Sequence, residues 1–151
     1  MISLETAEQL LDFRGPINAR AAAEQLRGAV AIHNILEQRN VAYLADEVGM
    51  GKTYVALGAR ALFRHFNPAF RLLVIAPREN IQQKWVKELK NFVANNVRFA
   101  DLRVKTLQGK PARPTVVCES LLELVRETAL QPDPDFFVRM TREGAPEIRT
   151  V

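Results

Sequence analysis

At 151 residues the chain is long enough to bury one ordinary core and too short for two full domains. Hydrophobic residues make up 48% and charged residues 25%, a balance that excludes a disordered or fibrous polymer, and no apolar run approaches the roughly 20 residues of a membrane span. The net charge of +4 is uneven: residues 52–113 hold 13 basic and 3 acidic side chains, while 1–51 and 114–151 each hold 4 basic and 7 acidic ones. A polyanion such as nucleic acid would be drawn to that basic middle, although a solvated Lys/Arg-rich surface would look the same by charge alone.

The N-terminus, Met1-Ile2-Ser3-Leu4-Glu5, lacks the charged-then-apolar pattern of a secretion signal. Ser3 is placed to cap a helix running through Leu11, with Leu4, Ala7, Leu10 and Leu11 on one face, and Gly15-Pro16 breaks it. A second helix, about Ala19 to Gln38, carries Ala23, Leu26, Val30, Ile32, His33 and Leu36 at near-helical spacing. Arg39-Asn40 ends it, and Val41 to Ala45 reads as a buried strand.

That strand breaks into two closely spaced glycines, and a helical pattern to Phe66 follows Lys52-Thr53. A strand, a Gly-rich loop and a helix opening on Lys-Thr make the phosphate cradle of P-loop nucleotidases. Gly49 and Gly51 leave the backbone amides room to fold around phosphate oxygens, and the helix N-terminus adds partial positive charge. Lys52 is placed to reach the β- and γ-phosphates of ATP, and the Thr53 hydroxyl to hold Mg²⁺. The first glycine of the full G-x-x-x-x-G-K-[ST] pattern is replaced by Asp46.

Further along, helix 53–66 has Val55, Ala56, Ala59, Leu62, Phe63 and Phe66 as its apolar stripe, and Asn67-Pro68 stops it. Arg71 to Ala76 is a continuous apolar run suited to a parallel strand buried on both faces, ended by Pro77. A helix over about Asn80 to Ala94 buries Ile81, Trp85, Leu89, Phe92 and Val93 and turns Lys84, Lys87 and Lys90 outward. Trp85 shares the stripe of Ile81 and Leu89, which makes it a core residue and not a base-stacking platform. Val97 to Leu107 alternates like a half-exposed strand, Gly109 to Pro114 is a loop, and Thr115 to Cys118 is a further buried strand. The single Cys118, beside Val116 and Val117, rules out an internal disulfide and suits a reducing, intracellular compartment: cytoplasm, or nucleus in a eukaryote. Ser120 to Leu130 forms the next helix. From Gln131 the pattern weakens among prolines, and only Phe136 to Met140 is able to pack. His33 and His65 read as helix-surface residues, since no Cys, Asp or Glu near them has metal-ligand spacing.

Alternating strands and helices imply an α/β fold: a mostly parallel sheet with flanking helices, preceded by N-terminal helices. The expected organisation is N-terminal helices over 1–40, an ATP-binding lobe over 41–130, and an irregular tail over 131–151. Ligands in such sheets bind at the carboxyl ends of the strands, here the P-loop, the Pro77 turn and the turn after Cys118.

The segment Leu44-Ala45-Asp46-Glu47-Val48-Gly49-Met50-Gly51-Lys52-Thr53 resembles the first motif of superfamily-two helicase-like ATPases, especially the Swi/Snf-type branch, where an Asp-Glu pair normally replaces the first glycine. Gln25-Leu26-Arg27-Gly28, with Gln25 lying 27 residues before Lys52, resembles the family's adenine-reading glutamine motif, although the usual preceding proline and aromatic are replaced by Ala23-Glu24. Leu72-Leu73-Val74-Ile75-Ala76-Pro77, with Gln83-Lys84-Trp85 and Glu88 beyond it, is similar to the next motif, and Thr115 to Leu121 to the one after that. The resemblance covers about residues 20–125. It implies a partial RecA-like lobe that binds ATP and Mg²⁺ through Gln25, Asp46, Glu47, Val48, Gly49, Met50, Gly51, Lys52 and Thr53. It also implies a nucleic-acid partner, duplex DNA first, contacted by Pro77, Arg78 and Lys84.

ATP hydrolysis also needs a carboxylate at the end of another buried strand to hold Mg²⁺, and a second to orient water. The family supplies both as Asp-Glu, and no such pair follows an apolar run after residue 53. The nearest acids, Glu119 and Asp101, have no acidic neighbour. The expectation is therefore a fragment of a DNA-dependent translocase lobe, cut before its catalytic carboxylates and missing its second RecA-like lobe. Two alternatives stand beside it: a binding module without turnover, and a small P-loop phosphotransferase using Glu119.

Overall fold

The computed structural model describes residues 1–15, 17–45, 51–99, 115–131 and 134–140, which fall into two compact units. The first comprises 1–70 and 88–112. Helix α1 (Leu4–Leu10) starts where Ser3 Oγ accepts from the Thr6 amide at 3.1 Å. Helix α2 (Ala19–Arg39) is capped by Asn18 and closed by Asn40, which takes the left-handed conformation at φ 62°. Helix α3 (Lys52–Phe66) lies against α2.

Their crossing is tight because glycines line it. A Cβ on Gly58 would stand 2.8 Å from Ala29 Cβ and 2.8 Å from Phe13 Cζ, and one on Gly28 would stand 3.1 Å from Val55 Cγ1. Ala29, Leu57 and Leu62 fill the centre, with Phe13 packed on Phe92 at 5.7 Å between ring centroids. Leu11 pairs with Val97 in a single antiparallel bridge, flanked by hydrogen bonds from Asp12 N to Asn96 O and from Arg98 N to Leu10 O. Of the expected strand 97–107, residues 100–107 lie outside the described residues, as does the 109–114 loop.

The second unit, residues 71–87 and 113–151, is built on a three-stranded parallel sheet. Strand β1 (Leu73–Ala76) is followed by helix α4 (Glu79–Asn95), which contributes residues to both units. Strand β2 (Val116–Cys118), helix α5 (Leu121–Leu130) and strand β3 (Phe136–Arg139) complete it. The strand order is β1-β3-β2, so β3 is central, with Phe137 opposite both Val74 and Val117. All four β3 residues are buried, which gives residues 136–139 of the expected tail a structural role.

Three expectations differ from what is seen, and one expected helix, α5, forms with little of its surface covered. Val41 to Ala45 is not a strand: it makes no ladder, and Val41 and Tyr43 are 74% and 88% exposed. An apolar run becomes a strand only where a neighbour accepts its hydrogen bonds, and none of the described strands does so. β1 is half-exposed, not buried on both faces: among the described residues nothing covers the face that carries Leu73 and Ile75. On α5 no residue is fully buried; Leu124 packs partly against the cluster of Cys118, Phe136 and Val138, while Leu121, Leu122, Val125 and Leu130 face solvent. His33 is 1% exposed, not on the surface, since it shares the α2 stripe of Leu26, Ala29 and Val30 and lies 4.3 Å from the Phe63 ring.

Candidate nucleotide site and strand-end edge

Gly51 is the hinge between loop and helix. Its φ of 74° and ψ of 28° lie in the left-handed region, where a side chain is strained, and it occupies the N-cap of α3 without any side-chain cap. Its carbonyl accepts from the Val55 amide at 3.1 Å, so Lys52 and Thr53 form the first turn, half-buried, at the positive end of the helix dipole, which favours an anion. Residues 46–50 lie outside the described residues, and with them the readings on Asp46, Glu47, Val48, Gly49 and Met50.

Gln25 is brought to the same place by α2. Gln25 and Gly28 are three apart and share one helix face. Gly28 lets α2 approach Val55, and this carries the Gln25 amide to Gly51 so closely that a Cβ there would collide with Gln25 Nε2. The position is therefore shaped for a residue without a side chain. A lysine ammonium and helix amides at the start of α3, with a carboxamide from α2 beside Gly51, are groups that can bind phosphate and read a base edge.

The neighbourhood of α3 also shifts Tyr54. A hydrogen bond with the Glu88 carboxylate, reinforced by burial, pushes its phenol up to about 12. Its ring sits 5.7 Å from Phe92, so it anchors α3 to α4 through residues of the same unit.

The second unit holds the other site residues. Pro77 and Arg78 lie exposed after β1, and the Arg78 carbonyl accepts from the Gln82 amide at 3.0 Å, opening α4. Lys84 is exposed on α4, as are Lys87 and Lys90, while Val86, Leu89, Phe92 and Val93 are buried. Ile81 and Trp85 are half-buried members of the expected stripe.

Sequence reasoning missed two residues here. Gln82 is fully buried, and its Nε2 donates to Cys118 O at 2.9 Å and Phe137 O at 3.0 Å, tying α4 to the ends of β2 and β3. Arg139 ends β3, with Nη1 3.3 Å from Glu79 Oε1 and Nη2 3.6 Å from Glu119 Oε1. The continuous apolar run Phe136-Phe137-Val138 was the signal for this strand. Glu119, the candidate metal carboxylate, is thus engaged by a guanidinium, and its amide is held by Glu123 Oε2 at 2.9 Å. Burial pushes the Cys118 thiol up, with smaller contributions from Glu123 and Glu127, so it is a structural thiol and not a reactive one. Among the described residues no group of three or more metal-ligating side chains occurs. Of the groups an Mg²⁺ ion could take, the first unit offers the Thr53 hydroxyl; within the second unit the acid Glu119 is engaged by Arg139. No described helix is long and apolar enough to cross a membrane.

Residues 17–129 match the sequence profile of the family described as type III restriction enzyme, res subunit. Over 70 residues the chain is 40% identical to the chromatin-remodeling ATPase INO80 of Cryptococcus neoformans var. neoformans serotype D, strain B-3501A, and equally to that of strain JEC21. The matched stretch is 46% of this chain and 4% of those relatives, so the chain spans a small part of their length. No solved structure matches the chain.

Proposed function

The chain belongs to the family of the type III restriction enzyme res subunit, a helicase-like ATPase family with Swi/Snf-type relatives, and from that premise we propose that it is the ATP-binding part of a DNA-dependent translocase lobe. The observation that carries this reading is the meeting of Gln25 with Gly51 at the first turn of α3. Asp46 to Thr53 would wrap the phosphates, with Lys52 neutralising the β- and γ-oxygens, Thr53 contributing to Mg²⁺, and Gln25 pairing with adenine. A carboxamide offers one donor and one acceptor, which suits ATP over GTP. The bound nucleotide and its metal would supply the energy of phosphoryl transfer; the protein's part is binding and orientation.

Pro77, Arg78 and Lys84 would meet one strand of duplex DNA, a role supported by their exposure beside the carboxyl end of β1. Such an enzyme works where the DNA is: the nucleus of a eukaryote, or the cytoplasm of a cell without one. A second RecA-like lobe would complete the motor.

One observation favours binding without turnover as a second reading. The buried strand β3 ends in Arg139, a cation where hydrolysis needs an acid, and Arg139 occupies Glu119. Steady-state phosphate release from the purified chain, with and without duplex DNA, separates the two. DNA-stimulated release that disappears in Lys52→Ala supports a working motor lobe. Nucleotide binding without release supports the module, and DNA-independent transfer lost in Glu119→Gln would revive a small phosphotransferase.

A further inference from the structure

The carboxyl edge of the sheet presents acids where a DNA-binding surface should be basic. Glu79 opens α4 directly after Pro77-Arg78, and Glu119 follows β2 directly. Two carboxylates beside a phosphate-binding edge repel the ligand and each other unless a cation bridges them. Arg139 does so, offsetting one of the two charges. It is 7% exposed, stands on the central strand, and reaches Glu79 with one guanidinium nitrogen and Glu119 with the other.

We propose that Arg139 is a positioning residue that ties the turn after β1, bearing Pro77 and Arg78, to the turn after β2, bearing Glu119 and Ser120, as one nucleic-acid-facing edge. The inference rests on the DNA-binding reading above and assigns a role to a side chain that touches no phosphate. A planar fork suits this role, because two carboxylates arriving from different turns are bridged by separate nitrogens of one rigid group, whereas the ammonium of lysine is a point charge on a flexible stem and fixes their spacing less. Gln82 braces the same place from below through the Cys118 and Phe137 carbonyls, so the clamp sits on a buried, hydrogen-bonded floor. Glu123 holds the Glu119 amide, which orients the β2 turn toward the guanidinium.

The test uses the sign of an effect. Glu79→Gln and Glu119→Gln each remove a negative charge from a surface that binds a polyanion. By charge alone both variants bind duplex DNA more tightly. If Arg139 positions the two turns, both bind more weakly, by about fivefold, the size of a common coupling between contacting residues. The slope of log Kd against log salt stays that of the unaltered chain, because no phosphate contact is lost.

The assay is fluorescence anisotropy of a labelled duplex titrated with the full chain, with melting temperatures measured alongside. Arg139→Gln completes the cycle: in its background Glu119→Gln has no further weakening effect. Should Arg139→Gln fail to fold, the two glutamate variants decide alone, since their side chains are 32% and 55% exposed. Tighter or unchanged binding by both glutamate variants overturns the proposal. Absence of duplex binding by the unaltered chain overturns the DNA-binding reading itself, a separate and visible failure.

Discussion

Replacing Gly51 by alanine probes the nucleotide site at its narrowest point. Two effects act together there and can be separated. The φ of 74° is left-handed, and an L side chain in that region costs about 1–2 kcal/mol. The new methyl also collides with Gln25 Nε2, the far end of a flexible side chain that moves aside at small cost but loses its place at Gly51. Gly51→Ala is therefore expected to lower unfolding free energy by about 1–2 kcal/mol, and most of this loss should persist in a Gln25→Ala background, because removing the amide relieves the collision and not the backbone. Equilibrium urea unfolding, followed by circular dichroism, measures both. In parallel, the preference for ATP over GTP in Gly51→Ala should fall to that of Gln25→Ala. Undiminished stability in both backgrounds, with selectivity intact, would refute the left-handed hinge and the contact between Gln25 and Gly51.

Three other outcomes follow from the packing and charges. Gly58→Ala gains about 1 kcal/mol of helix propensity, yet its Cβ would lie 2.8 Å from Ala29 Cβ and from Phe13 Cζ; crowding of this kind costs about 1–3 kcal/mol, so a lower melting temperature is expected and a higher one would contradict the tight α2–α3 crossing. Gln82→Met strips the Cys118 and Phe137 carbonyls of their buried donor and should cost about 3 kcal/mol in denaturant unfolding, whereas a near-neutral result would mean that those carbonyls find other partners. Asp12 is held down to about 2, first by the side-chain hydrogen bonds of Arg14 and less by Arg98, against an ordinary value of 3.8. Because its folded value is lowered, the stabilisation is fully present above pH 3.8 and is lost as pH falls toward 2; after solvent screening it is on the order of 1 kcal/mol. Asp12→Asn should remove that part of the acid dependence, seen as a flatter urea midpoint between about pH 5 and pH 2, and an unchanged slope would place the dependence elsewhere.

Helices were the legible part of this fold because their signals are local. Ser3 caps where its side chain suggests, Asn40 closes α2, and the stripes of α2, α3 and α4 follow a spacing set by the backbone alone. Strands depend on partners that no local pattern names. Val41 to Ala45 has the composition of a strand and no ladder, while Phe136 to Arg139, inside a proline-flanked tail, became the central strand by pairing with β1 and β2 on its two sides. Asp135 anchors it, accepting from the Leu72 amide at 3.0 Å.

The site divides in the same way. Gln25, Gly51, Lys52 and Thr53 stand in one unit, and the short spacing from loop to helix brought the last three together without help from distant sequence. Arg139 escaped notice because its meaning comes from two acids 60 and 20 residues away, on elements whose adjacency only the sheet order reveals. His33 escaped for a simpler reason: imidazole is both polar and flat, and its place on the α2 stripe beside Phe63 outweighs its polarity.

The grip of the first turn of α3 on a triphosphate is tested most directly by magnesium-ATP and thermal unfolding of the folded chain. Ligand at about 100 times its Kd stabilises by about 2.7 kcal/mol, so the melting temperature of the unaltered protein should rise by several degrees, and that of Lys52→Ala should not move. A folded protein whose melting temperature ignores millimolar magnesium-ATP, or a Lys52→Ala variant that responds as fully as its parent, would contradict it.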